Sequence, residues 1–126
     1  MFDYTEQLHQ FLSFHLTILK NPHEKVMKLV SGIVRTTSLE RIVQSLERIG
    51  INNMTISEIK GLGEELRLNN PYSIHDKIEL IVSDEKADRV VRTILDHAGT
   101  GLAGDGVISV APLDYTVKIR SEERLK

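Results

Sequence analysis

A duplicated β-α-β sandwich of the α+β class is what the sequence predicts, and three observations predict it. Short runs rich in β-branched residues recur at Lys28–Val34, Met54–Lys60, Lys77–Val82 and Val107–Ala111. Apolar residues at helical spacing fill the stretches after the first and third runs. The two strand-helix-strand cycles are of similar length. Such a duplication gives four antiparallel strands with both helices on one face.

Residues 1–20 predict an amphipathic helix. Leu8, Phe11, Leu12, Ile18 and Leu19 share one face, and His15 fills the intermediate place. Asp3 is placed to cap it, with Glu6 three residues on, and Asn21-Pro22 ends it. A helix this short is marginal alone in water, so it must dock on its own domain or on a neighbouring subunit. Its polar face is not basic, which argues for packing or oligomer capping over membrane anchoring. The chain thus divides into a helical extension, residues 1–26, and one domain, residues 27–126.

Lys28–Val34 reads as a buried strand. Thr37-Ser-Leu-Glu40 then has the form of a capping box, and Leu39, Ile42, Val43, Leu46 and Ile49 follow at helical spacing up to Gly50. Met54–Lys60 alternates with period two. After the third strand, Asp84 is placed to cap a second helix carrying Ala87, Val90, Val91, Ile94, Leu95 and Ala98 on one face. Beyond the fourth strand, Thr116–Arg120 reads as a short extra one. The result is a ferredoxin-like double β-α-β sandwich whose second sheet face needs covering, and oligomerisation covers it most simply.

Composition narrows the function. Sixteen Lys and Arg against eighteen Asp and Glu give a net charge of −2, which argues against coating nucleic acid. With no cysteine, disulfides, thiolate zinc sites and thiol catalysis are excluded, and a reducing cytoplasm fits. Asp3, Glu6 and His9 interrupt the N-terminus, and no apolar stretch reaches the roughly 18 residues that a membrane span needs. A soluble, cytoplasmic protein is expected.

Two connections invite a ligand. Residues 61–76 are longer than a hairpin requires, with turn signals at Gly61, Gly63 and Asn69-Asn70-Pro71. Residues 99–106, Gly-Thr-Gly-Leu-Ala-Gly-Asp-Gly, hold four glycines in eight positions, so their N–H groups could face an anion. The second loop reads equally as a tight helix-to-strand connection.

At these loops the chain resembles the PII nitrogen-regulatory family. Met27–Arg35, Gly50–Gly63, Thr100–Val110 (which looks like the family's Thr-Gly-x-x-Gly-Asp-Gly-x-Ile signature) and Val117–Glu123 match it in order, covering roughly residues 27–124. The resemblance implies a regulatory homotrimer with nucleotide sites between subunits, sensing ATP against ADP, often with 2-oxoglutarate. It also implies a long loop that docks on transporters, enzymes or transcription factors. Carried over residue by residue, the cleft would use Gly61, Leu62 and Gly63 at the loop base, with Ile33, Glu79 and Ile81 nearby. Thr100, Gly101, Gly104, Asp105 and Gly106 would come from the glycine loop. Thr55, Lys118 and Arg120 would approach across the subunit boundary, so that backbone donors and two cations meet the phosphates.

The departures from the pattern are specific. Val107 stands where the family usually has a phosphate-binding lysine. Lys118 replaces the first arginine of the terminal pair and loses its bidentate fork. Glu65 replaces a glutamine that helps hold magnesium and 2-oxoglutarate, and Glu64 adds a second charge repelling polyphosphate. The long loop is shorter than usual, too altered for Tyr72 to be aligned with the tyrosine some members modify. These changes favour ADP, AMP or another small anion over triphosphate with magnesium and 2-oxoglutarate.

The expected protein is therefore a PII-like regulator without catalytic residues or cofactor, binding ADP, AMP or ATP, or a similar small anion. Its target is a protein, for example a membrane transporter or an enzyme. Two rivals stay open: a ferredoxin-like trimer that binds metal or bicarbonate and serves transport, and a nucleotide-blind scaffold. Lys118 and Arg120 also read as solvated charges protecting an edge strand. His9, His15, His23, His75 and His97 show no paired metal-ligand spacing, and they read as surface or packing histidines. No nucleophile–base pair emerges, and Glu64-Glu65 sits on a loop ill suited to hold a general base.

Overall fold

The computed structural model describes residues 5–10, 26–61 and 74–125. Strand β1 (Met27–Arg35) pairs antiparallel with β3 (His75–Ser83) on one side and β4 (Gly106–Leu113) on the other. Strand β2 (Thr55–Ile59) extends the other edge of β3, so the order is β2-β3-β1-β4. Helices α1 (Thr36–Arg48) and α2 (Asp84–Ala98) provide the crossovers. This is the expected α+β, ferredoxin-like arrangement.

The period-two pattern decides which face is dry. Val30 and Val34 of β1, and Ile78, Leu80 and Val82 of β3, are buried against Ile42 and Leu46 of α1 and Ala87, Val90, Ile94 and Ala98 of α2. Burying one such aliphatic side chain is worth roughly 1.5–3 kcal/mol, so this layer supplies most of the cohesion. Residues opposite each other in register share a face. The other face therefore carries Leu29, Ser31, Ile33 and Arg35 from β1, and His75, Lys77, Glu79 and Ile81 from β3. Thr55 and Ser57 of β2 and Val107 of β4 fall on the same open face.

Both helix starts differ from expectation. Helix α1 begins directly out of β1: Arg35, extended at φ −64° and ψ 138°, is the N-cap, and its side chain makes no capping bond. Thr37 is thus already inside the first turn, and the Thr37–Glu40 capping box does not form. The Thr36 N–H instead donates to the Ile74 carbonyl at 3.0 Å, a tertiary substitute for a cap. Asp84 is the first residue of α2 rather than its cap. Its N–H donates to the Val26 carbonyl at 2.8 Å, and its carboxylate lies 3.5 Å from Lys28 Nζ. With Glu85 it places negative charge where the helix dipole favours it. Gly50 ends α1 as expected, at φ +89° with its N–H on the Glu47 carbonyl.

The predicted strand Thr116–Arg120 is shorter than its alternation suggests. Only Thr116–Val117 (β5) is extended, paired with Arg124–Leu125 (β6) in a separate ribbon. Lys118 donates its N–H to the Glu123 carbonyl at 2.9 Å, and the Glu122 N–H returns to the Lys118 carbonyl at 2.8 Å. Glu122 takes a left-handed φ of +56° to close this turn. Lys118 and Arg120 therefore do not alternate on a strand face.

Of the N-terminal helix, residues 5–10 are helical and exposed; Asp3, Phe11, Leu12, His15, Ile18 and Leu19 lie outside the described residues. Leu62, Gly63, Glu64, Glu65 and Tyr72 of the long connection also lie outside them. Its last two residues, His75 and Asp76, are instead buried members of β3. No helix among the described residues is long and apolar enough to cross a membrane.

Candidate functional site

The glycine loop between α2 and β4 is organised from inside by one carboxylate. Asp105 Oδ2 accepts the N–H groups of Thr100 at 2.7 Å and Gly101 at 2.9 Å, and Oδ1 accepts the Thr100 hydroxyl. The Thr100 hydroxyl oxygen in turn accepts the Leu102 N–H at 3.2 Å, and the Asp105 N–H donates to the Leu102 carbonyl. Hydrogen bonds from the Thr100 hydroxyl first, then from the Thr100 and Gly101 N–H groups and Arg35, hold the Asp105 carboxyl at about 2 against the ordinary 3.8; partial desolvation opposes them.

Two residues on the open sheet face pin this loop down. Arg35 Nη2 donates to the Ala103 carbonyl at 2.8 Å, while Nε reaches Asp105 Oδ1 at 3.4 Å. His75 Nε2 donates to the Gly104 carbonyl at 2.7 Å in a buried bond, which requires the proton on Nε2. Arg35 and His75 are register partners in β1 and β3, so one row of the sheet makes both contacts. Gly106 completes the seam at φ +107°, so near Ile33 that a Cβ there would stand 1.8 Å from the Ile33 carbonyl oxygen.

The remaining candidates fall into four groups. Thr55, Glu79 and Ser31 form one transverse row, Ile33 and Lys77 the next, and Ile81 pairs with Leu29. Ile33, Thr55, Glu79 and Ile81 therefore share the open face with the loop's anchors. Glu79 is already engaged, 2.6 Å from Lys77 Nζ. Thr100, Gly101, Gly104, Asp105 and Gly106 form the loop itself, but the Thr100 and Gly101 N–H groups turn inward to Asp105 instead of outward to an anion. Lys118 and Arg120 sit in the exposed turn beyond β5, with Lys118 Nζ 3.8 Å from Glu123. Gly61 ends the described part beyond β2, whereas Leu62 and Gly63 lie outside the described residues.

Sequence reasoning missed Arg35 and His75. From the sequence, Arg35 is only the last residue of the matched segment Met27–Arg35, and His75 reads as a surface or packing histidine. The signal that could have found them is their common position at the ends of the two central strands. Among the described residues no group of three or more His, Cys, Asp or Glu could hold a metal.

Comparison with known proteins decides the family. Residues 27–123 match the family described as Nitrogen regulatory protein P-II. The chain belongs to the P-II family. Nitrogen regulatory protein P-II 2 of Methanothermobacter thermautotrophicus is 38% identical over 106 residues, covering 77% of this chain and 92% of that protein. Nitrogen regulatory protein P-II of Rhizobium etli is 36% identical over 106 residues, with 77% and 95% covered. Arabidopsis thaliana PII bound to citrate superposes with a TM-score of 0.68 at 32% identity, covering 82% of this chain and 92% of that one. The resemblance drawn from the four ordered segments is thereby confirmed, and the chain is a P-II-type signal-transduction regulator. The P-II match begins at the first residue of β1 and leaves the N-terminal extension outside it.

Proposed function

We propose that this P-II protein assembles as a homotrimer, binds an adenine nucleotide or similar small anion between subunits, and controls a partner protein through the connection between β2 and β3, residues 61–74. One observation carries the reading. The row Arg35–His75 seats the glycine loop against the same open face that presents Ile33, Thr55, Glu79 and Ile81. An aliphatic floor beside a glycine-rich rim is suited to a heterocyclic base with an anionic tail. The rim lacks free N–H donors at Thr100 and Gly101 and has Val107 at its edge, so cations from a neighbouring copy, Lys118 and Arg120, must supply the charge. That weak cationic complement favours ADP or AMP over ATP. The citrate-bound relative supports a small anion as the ligand class. The open face, with Ile81 and Val107 close to half exposed, supports oligomerisation.

Titration calorimetry with ATP, ADP and AMP tests the reading. Binding of at least one nucleotide, lost in Arg120→Ala, is the expected result, and silence towards all three overturns it. Light scattering should give three times the chain mass of 14.3 kDa; a monomer contradicts an inter-subunit site. A second reading, a nucleotide-blind adaptor, is favoured by the inward turn of the loop's N–H groups onto Asp105. Silence in calorimetry with an intact trimer would select it.

A further inference from the structure

We infer that the N-terminal extension docks on its own domain, in the apolar strip between the outer flank of α2 and strand β4. The two helices leave that strip uncovered. His97 of α2 reaches Ser45 of α1 through a 2.8 Å hydrogen bond, so the His97 flank of α2 faces α1. At 100° per residue, Val91 and Leu95 lie on the opposite flank, over the β4 edge of the sheet. Leu95 is 44% exposed there. On β4, Val110 is in register with the fully buried Val30 and so faces the helix layer, yet it is 45% exposed. Two large aliphatic side chains thus stand half-wet beside the core among the described residues.

The occupant follows from where the extension joins the domain. Val26 immediately precedes β1, whose first residue pairs with Leu113 of β4. The Val26 carbonyl also accepts the N–H of Asp84, the first residue of α2. Residues 1–25 therefore join the domain at one end of the strip. Their sequence carries an apolar stripe, Leu8, Phe11, Leu12, Ile18 and Leu19, and Leu8 is 59% exposed. Length fits as well. At 1.5 Å per residue, Asp84 to Leu95 spans about 16 Å, a distance that the chain between Leu8 and Val26 is long enough to cross. Charge fits too: Asp84 and Asp88 line the same flank of α2, and Lys20 would meet them. The inference is independent of the nucleotide reading.

The cysteine-free chain makes the test direct. Full-length Leu8→Cys/Leu95→Cys and Leu8→Cys/Val110→Cys are oxidised and run without reductant, beside Leu8→Cys/Ile81→Cys on the open sheet face. At least one of the first two should close a disulfide at monomer mass while the third does not. A disulfide at dimer mass overturns the inference in favour of a second copy as occupant. Failure of both pairs overturns it outright, as does equal closure of the Ile81 pair. As a second readout, Leu8→Asp should lower the melting temperature in the native chain, and that effect should vanish beside Leu95→Asp. An equal loss in both backgrounds is incompatible with docking.

Discussion

Arg35 and Asp105 lie 70 positions apart in the chain, yet they meet at 3.4 Å to tie the glycine loop to the end of the central strand. Asp105 faces inward, holding Thr100 and Gly101, and its charge is what the loop is built around. A carboxyl held at about 2 in the fold and near the ordinary 3.8 when unfolded binds fewer protons in the native state. Its contribution is fully present above about pH 4 and is lost as the pH falls through about 2. The amide resonances of Thr100 and Gly101 should therefore titrate together with a midpoint near 2. A midpoint at the ordinary carboxylate value would mean that the loop is not organised by Asp105.

Asp105→Asn separates charge from shape. The amide keeps one acceptor oxygen but weakens the charge-assisted bonds and brings an NH2 group towards the donors of Thr100 and Arg35. Faster hydrogen exchange at Thr100 and Gly101 is expected, with exchange at the core residues Val30 and Ile78 unchanged. Uniform acceleration would show that the loop is not a local unit.

Two glycines of the same loop should respond very differently to alanine. At Gly106 both the φ of +107° and the clash with the Ile33 carbonyl oppose a Cβ, so Gly106→Ala should cost at least about 3 kcal/mol in urea unfolding. Gly101 is also left-handed, at φ +81°, but nothing lies within 4 Å of its Cβ position. Gly101→Ala should cost only about 1–2 kcal/mol. Equal penalties would show that backbone strain, not the close approach to β1, governs the seam.

Much of this arrangement was legible in the sequence, and the illegible part has one physical origin. The strands and helices follow from local periodicity, as Val30, Val34, Ile78 and Leu80 show, because alternation alone selects the buried face. The capping box at Thr37 failed because the Thr36 N–H is satisfied by Ile74, 38 positions away. No local pattern encodes such a partner. The run Val117–Ile119 alternates as a strand would, yet Ile119 is 96% exposed in a turn closed by Glu122. The loop anchors Arg35 and His75 emerge only once β1 and β3 are placed in register.

His75 should be a positioning residue with a measurable structural cost. It is buried, and its Nε2–H donates to the Gly104 carbonyl. His75→Leu keeps apolar bulk but leaves that carbonyl without its donor, which should cost about 1–3 kcal/mol. His75→Gln can restore a donor and should recover part of the loss. If leucine and glutamine are equally destabilising, the contribution of His75 is packing rather than the hydrogen bond.

Asp76, the next residue, presents the opposite case. It is buried on the helix side of the sheet, and its Oδ2 has no hydrogen-bond partner among the described residues. It pairs in register with Val34 of β1 and Glu58 of β2, so a β-branched apolar side chain suits the backbone there. Asp76→Val removes the unpaired oxygen without opening a large void, and stability should rise by about 1–3 kcal/mol. Asp76→Asn keeps a polar group in the same place and should gain much less. Urea unfolding of both variants at neutral pH decides the matter. A valine variant less stable than the native chain would mean that the carboxylate has a partner it cannot do without, which would make Asp76 part of a functional site instead of a flaw in the core.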